Sequence, residues 1–294
     1  MTILVGYSPH KDDVGVLELG AQLARSAGES LHAVTVVPEG WATPVAGDTD
    51  RDFKDWAAEE GEASAAEALA HLAEIPDVES SASWVSGRSV PQALLAVAAS
   101  QQAGLLVVGS GENGPRGVVT VTSKTDRLLH SSDVPIAIAP RGYHAGSAMR
   151  VRRVTVGFRD DDATWTLLDR VAGICRDTQS VLRVATFAIR RRAMVTSAMR
   201  GAEDLVFEQW RTQARAAQSE ADEHLRSIGF GDNDLELVVA EGRSFGGAMD
   251  GLEWDKGDVL VVGSSSTHPL AHVFLGSSAA KILRNSTVPV VVVP

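Results

Sequence analysis

The chain repeats itself. Residues 3–13, ILVGYSPHKDD, resemble residues 154–164, VTVGFRDDDAT. VSGRSVPQAL at 85–94 pairs in the same way with AEGRSFGGAM at 240–249, LLVVGSGE at 105–112 with VLVVGSSS at 259–266, and DVPIAIAP at 133–140 with TVPVVVVP at 287–294. Four landmarks in one order, at offsets of 151 to 155 residues, mark a tandem duplication of a whole domain. The 294 residues therefore divide into two units of ordinary size, 1–140 and 151–294, with RGYHAGSAMR at 141–150 as the linker.

Each unit alternates short Val/Ile/Leu runs with longer helical stretches. Strands are expected near 2–6, 31–37, 81–85, 105–109 and 134–139, then near 153–157, 180–187, 235–240, 258–263 and 288–293. These runs lack polar alternation, as strands covered on both faces do. The second copy's helices are expected near 162–176, 202–228, 245–254 and 277–285. Such alternation specifies an α/β class, with a five-stranded parallel sheet flanked by helices in each unit.

In sheets of this kind ligands bind beyond the carboxyl ends of the strands, where strand order reverses. GSSSTHPLAHVFLGSS, 263–278, leaves a buried strand there and returns just before a helix. Gly263 can take a φ closed to other residues, Gly276 gives close approach, and Ser277 can cap the helix while its hydroxyl reaches a phosphate. No Walker lysine follows, so the segment is not a P-loop.

The spacing Gly263, Gly276, Ser277 and then Val288-Pro289 resembles the universal stress protein family, whose pattern is Gly, two residues, Gly, nine residues, Gly, then Ser or Thr. The similarity covers nearly the whole chain. It implies an adenine nucleotide alpha hydrolase-like, Rossmann-like fold, and a stress-response regulator that binds ATP or another adenine nucleotide, with magnesium, in the second domain only. It also implies pairing of the two domains through their last strands, which would cover two apolar sheet edges; a homodimer is open. The residues carried over are Gly157, Arg159, Phe187, Val262, Gly263, Ser266, Gly276, Ser277 and Ser278. Ser266 stands where the second glycine belongs, and Arg159 where the family has an Asp that meets the nucleoside. Arg159 can stack on adenine, meet a phosphate, or close on a neighbour such as Asp161. Phe187 falls near the adenine wall and is equally an ordinary core aromatic. In the first copy Glu112 and Thr122 replace the glycines after Gly109, so that half is expected to be nucleotide-free, with GENGPRG as a surface loop. The competing reading is a nucleotide-free scaffold acting through an unidentified protein partner.

Other chemistries fare worse. GRSFG at 242–246 matches the nucleophile elbow of serine hydrolases, with Asp250 or Asp258 and His268 or His272 following in order. Only 24 residues separate Ser244 from His268, and the first copy carries GRSVP, so Ser244 is expected to be a helix cap. Pro269 discourages the helix that would align His268 and His272 on a metal. The net charge of −11 opposes binding to nucleic acid or anionic membrane. Residues 1–145 carry 19 acidic and 9 basic side chains, a balance of −10, against 19 and 18 in the remainder, a balance of −1. A polyphosphate is therefore repelled less by the second half. The single cysteine, Cys175, reads as a small core residue. The expected setting is cytoplasmic: no signal peptide or membrane-spanning run is read, and no catalytic residues are assigned.

Overall fold

The structure is a computed structural model and describes residues 1–9, 14–40, 49–146, 148–190, 200–264 and 276–294. The first half runs β1 (Thr2–Tyr7), α1 (Gly15–Ala27), β2 (Ser30–Pro38), α2 (Thr49–Ala73), β3 (Ser80–Gly87), α3 (Val90–Ser100), β4 (Ala103–Gly109), α4 (Ser123–Ser131) and β5 (Ile136–Ala139). The second runs β6 (Arg153–Gly157), α5 (Asp162–Thr178), β7 (Val181–Ile189), α6 (Arg200–Ser227), β8 (Leu235–Gly242), α7 (Phe245–Asp250), β9 (Asp258–Gly263), α8 (Ser277–Arg284) and β10 (Val290–Val293).

All ten strands lie in one sheet, in the order β3-β2-β1-β4-β5-β10-β9-β6-β7-β8. Within each half neighbouring strands are parallel, as the unbroken apolar runs require. The halves meet last strand to last strand, antiparallel, with Val290 opposite Ile138 and Val292 opposite Ile136. Neither half alone could cover that edge; together they turn two hydrophobic rims into a sheet interior. The packing follows suit: Leu129, Ile136 and Ile138 share one cluster with Leu283, Val290 and Val292 from the other half.

The same turn launches both seam strands. Ser132 Oγ donates to the Val134 carbonyl at 2.7 Å, and Ser286 Oγ donates to that of Val288 at 2.8 Å. The first half is also tied to the second of these turns, because Val119 N donates to the Ser286 carbonyl at 3.0 Å. Tyr143, Ala145 and Met149 of the linker are tied to α1: Tyr143 donates its hydroxyl to Gln22, Ala145 N donates to Glu18 Oε2 at 2.6 Å, and Arg25 Nη1 donates to the Met149 carbonyl at 2.8 Å.

One helix is shorter than the sequence suggests. α7 stops at Asp250 instead of reaching 254. Gly246, Gly247 and Gly251 weaken the helix, and the Trp254 indole takes the Met249 carbonyl at 2.9 Å, which ends the ladder. The two halves also end their first helix differently. The α1 terminus turns through Gly28 at φ 68°, whereas the matching turn after α5 places Gln179 at φ 55°. A side chain there is strained where glycine is not.

Candidate functional site

In each half the chain runs from the first strand outward through two more strands and then returns to the first strand's other side. Strand order therefore reverses between β1 and β4, and again between β6 and β9. Helix N-termini and strand carboxyl ends converge at those two places.

In the second half they enclose a cavity of about 720 Å³, within the usual range for small-molecule sites. Eight of the nine residues expected from the sequence line it: Gly157, Arg159, Phe187, Val262, Gly263, Gly276, Ser277 and Ser278. Ser266 lies outside the described residues, as do His268 and His272. Its walls are aromatic on one side, with the Phe187 and Phe245 rings 6.3 Å apart and Trp210 reaching in from α6. On the other side the first turn of α8 faces the space. The leading amides of a helix have no partner within it and carry the positive end of its dipole. Phe245 and Trp210 are additions that the sequence reading lacks. Phe245 has a signal, because it follows the GRS turn that repeats in both halves; Trp210, in mid-helix, has none.

Several expected details are corrected. Gly263 is not in the left-handed φ region; it closes β9, and a Cβ there would meet Leu167 Cδ2 at 3.4 Å, an ordinary contact. Ser277 does not cap α8. Gly276 holds the cap position at φ −57° and ψ 152°, with no side-chain hydrogen bond, and Ser277 is the first helical residue. Its hydroxyl is thus not tied to capping.

Arg159 takes the third of its options. Its Nε and Nη2 both reach Asp161 Oδ2 at 2.5 Å. Asp161 also caps α5, its Oδ1 accepting from Thr164 N at 2.9 Å and Thr164 Oγ1 at 2.8 Å. Burial alone would raise this carboxyl. The Thr164 hydroxyl and amide, then Arg159, outweigh that and hold it below the ordinary carboxylate range. Asp161→Ala is expected to cost about 1 kcal/mol, the usual worth of an N-cap, measured by urea unfolding at neutral pH. Because the folded-state value is depressed, that increment is present above the ordinary carboxylate pKa and fades as pH falls through the folded one. An unchanged midpoint, or a loss that grows at low pH, would count against this account.

The first half differs at the matching place. Thr122 caps α4, accepting from Thr125 N at 3.1 Å. Its methyl lies 2.7 Å from where a Cβ on Gly111 would sit, and a Cβ on Gly114 would collide with the Thr120 hydroxyl. The loop folds onto itself, held by Gly111 N to Thr120 O at 3.0 Å and Arg141 Nη1 to Gly114 O at 2.6 Å. Threonine side chains fill the space where a phosphate cradle would need bare backbone.

Two parts of the hydrolase alternative have other partners. Ser244 Oγ accepts from Gly247 N at 3.1 Å as the α7 cap. Asp258 is 2% exposed and bound to Arg153 Nη2 at 2.5 Å, so it is committed elsewhere. Cys175 is buried, and burial pushes its thiol up to about 12. Among the described residues no cluster of three or more His, Cys, Asp and Glu side chains could hold a metal, and no helix is long and apolar enough to cross a membrane.

A sequence model of the universal stress protein family matches residues 1–140 and 150–294. Universal stress proteins of Mycobacterium tuberculosis and Mycobacterium bovis are each 37% identical to this chain over 296 residues, covering 100% of both partners. A universal stress protein from Archaeoglobus fulgidus superposes with a TM-score of 0.64 at 16% identity, covering 99% of this chain and 97% of that one. A functionally unknown protein from Pseudomonas aeruginosa PAO1 gives 0.60 at 16% identity, over 99% and 92%. At such identity the two structures bear on fold alone.

Proposed function

Because this chain belongs to the universal stress protein family, built here as two tandem domains in one sheet, we propose that it is a stress-response regulator binding an adenine nucleotide, with magnesium, in the second-half cavity. The observation that carries this reading is the pairing of an aromatic wall with an open helix N-terminus in one space of about 720 Å³. A purine needs a flat apolar surface, supplied by Phe187, Phe245 and Trp210. A phosphate needs unpaired amides and hydroxyls, supplied by Ser277 and Ser278 at the start of α8. Arg159 stands at the rim and would need to leave Asp161 to meet the ligand. The first half takes no nucleotide in this reading, because Thr122 and Thr120 occupy its cradle. No side chain is assigned a bond-breaking role, so any hydrolysis is slow and incidental.

The Arg159–Asp161 pair favours the second reading, a nucleotide-free scaffold for a protein partner. Calorimetric titration of Mg-ATP into the full chain separates the two. One-to-one binding that Gly276→Val reduces by at least about tenfold is the expected result, since two branched methyls would enter the space before Ser277. Two sites per chain would overturn the account of Thr122. Absence of heat, with no thermal stabilisation by the nucleotide, would leave the scaffold.

A further inference from the structure

The two halves place different chemistry in the same corner of the sheet, near the amino ends of their outer strands. His32 stands opposite Ser81 across β2 and β3, as Arg183 stands opposite Glu236 across β7 and β8. In the second half this corner is closed. Arg183 Nε donates to Glu236 Oε2 at 2.8 Å, its Nη1 donates to the Glu253 carbonyl at 3.0 Å, and its guanidinium lies over the Trp254 ring. In the first half the corner opens into a cavity of about 430 Å³, and none of the residues lining it is apolar.

Three side chains there form a chain of hydrogen bonds. His32 Nδ1 lies 2.8 Å from Ser81 Oγ, and Nε2 lies 2.7 Å from Ser83 Oγ. The two serines are two residues apart on one strand and so share a face, which lets a single imidazole span them. With its proton on Nε2, the ring donates to Ser83 and accepts from Ser81. Ser83 then fixes the ring and its tautomer, and Nδ1 is placed to take the Ser81 proton. Burial lowers the His32 pKa from its ordinary value, so the ring is neutral near pH 7. Ser81 is exposed and lines the cavity together with His32, whereas Ser83 is half-buried and does not line it. β3 ends the ten-stranded sheet.

We propose that Ser81 is a covalent acceptor for a small polar acyl group, with His32 as its general base and Ser83 as a positioning residue. The donor is an activated ester or thioester. Ser81 Oγ bonds to the acyl carbon while its proton passes to His32 Nδ1. The bond from that carbon to the leaving oxygen or sulfur breaks, and the imidazolium returns the proton to the leaving group. Nothing is oxidised or reduced. The hydroxyls of Thr2 and Ser30 and the Gln101 amide suit a polar acyl group, and Glu79 disfavours an anionic one. The corner lies at the opposite strand ends from the candidate nucleotide cavity, so this site stands or falls separately from it.

The test is incubation of the full chain with p-nitrophenyl acetate, followed by peptide mapping by mass spectrometry. An acetyl group on Ser81, ahead of every other serine and every lysine, is expected in the unaltered protein. That mapping needs no variant to fold. His32→Gln should slow the labelling by at least about a hundredfold, with an unchanged circular dichroism spectrum. Ser83→Ala should slow it less, and Ser83→Thr, which keeps the hydroxyl, should restore it. Acetyl groups spread over lysines and the amino terminus, with Ser81 unmarked, overturn the proposal. So does labelling of Ser81 at a rate that His32→Gln leaves unchanged. A loss in Ser83→Ala that Ser83→Thr fails to restore overturns the positioning role.

Discussion

Val290→Asp is expected to destabilise the protein by about 5 kcal/mol or more, enough to unfold most domains of ordinary stability. Val290 is fully buried, with Ile138 opposite it across the antiparallel seam and Leu260 beside it in β9. A carboxylate there has no cation to meet and no route to water. The position belongs to both halves at once, since β10 completes the second parallel sheet and closes the edge of the first. The parent protein should therefore melt in one transition, and the variant should lose native signal in both halves together. Chemical denaturation with probes in each half reads this directly. A variant that melts near the parent temperature, or that unfolds its second half while the first stays native, would show that the seam is not a shared core. Val291→Thr, at a half-buried neighbour, serves as the mild control.

Asp258→Ala is the second large effect, with an expected cost of about 3 kcal/mol. Asp258 sits at the start of β9 and accepts from Arg153 Nη2 at 2.5 Å and Nε at 3.2 Å, and from Asp255 N at 2.9 Å. Arg153 in turn reaches Glu236, as does Arg183 Nε at 2.8 Å, while the Arg183 guanidinium lies 5.6 Å from the Trp254 ring centre. Removing the buried carboxylate leaves Arg153 underpaired in a site it cannot leave, which is why the single change costs more than the pair is worth. Asp258→Leu together with Arg153→Met should recover most of the loss. If the single variant costs less than about 1 kcal/mol, the cluster behaves as a solvated surface network. Acid probes the same cluster. Burial would raise the Glu236 carboxyl, but Arg183 and Arg153 hold it below its ordinary value. Its contribution is thus present near neutrality and is lost as pH falls through the folded-state value; its partial exposure keeps that contribution small.

The candidate site is partly legible in the amino-acid sequence. Gly276 and Ser277 stand out because a helix N-terminus after a glycine-bearing loop has a one-dimensional signature. Phe187 stands out because it ends a strand whose period is clear. Two roles differ from what residue type offered, and Arg159 takes one of its stated options, for a common reason: residue type says what a position permits, and neighbours decide what it does. Gly263 permits an unusual φ and does not use it. Ser277 permits capping, but Gly276 already holds the cap. Arg159 permits ligand contact, but Asp161 lies two residues away and is fixed by its own capping bonds to Thr164.

By itself, the sequence determined the duplication and the parallel α/β class, because periodicity and repeat spacing are local properties that survive projection onto one dimension. It also set the chemistry of the seam: two short all-apolar terminal strands have to be covered by something. Only the tertiary structure decided that they cover each other in antiparallel register, and that Thr120 and Thr122 fill the first cradle while the aromatics wall the second. Those outcomes depend on which side chains arrive at one point from distant segments, and that is settled by packing.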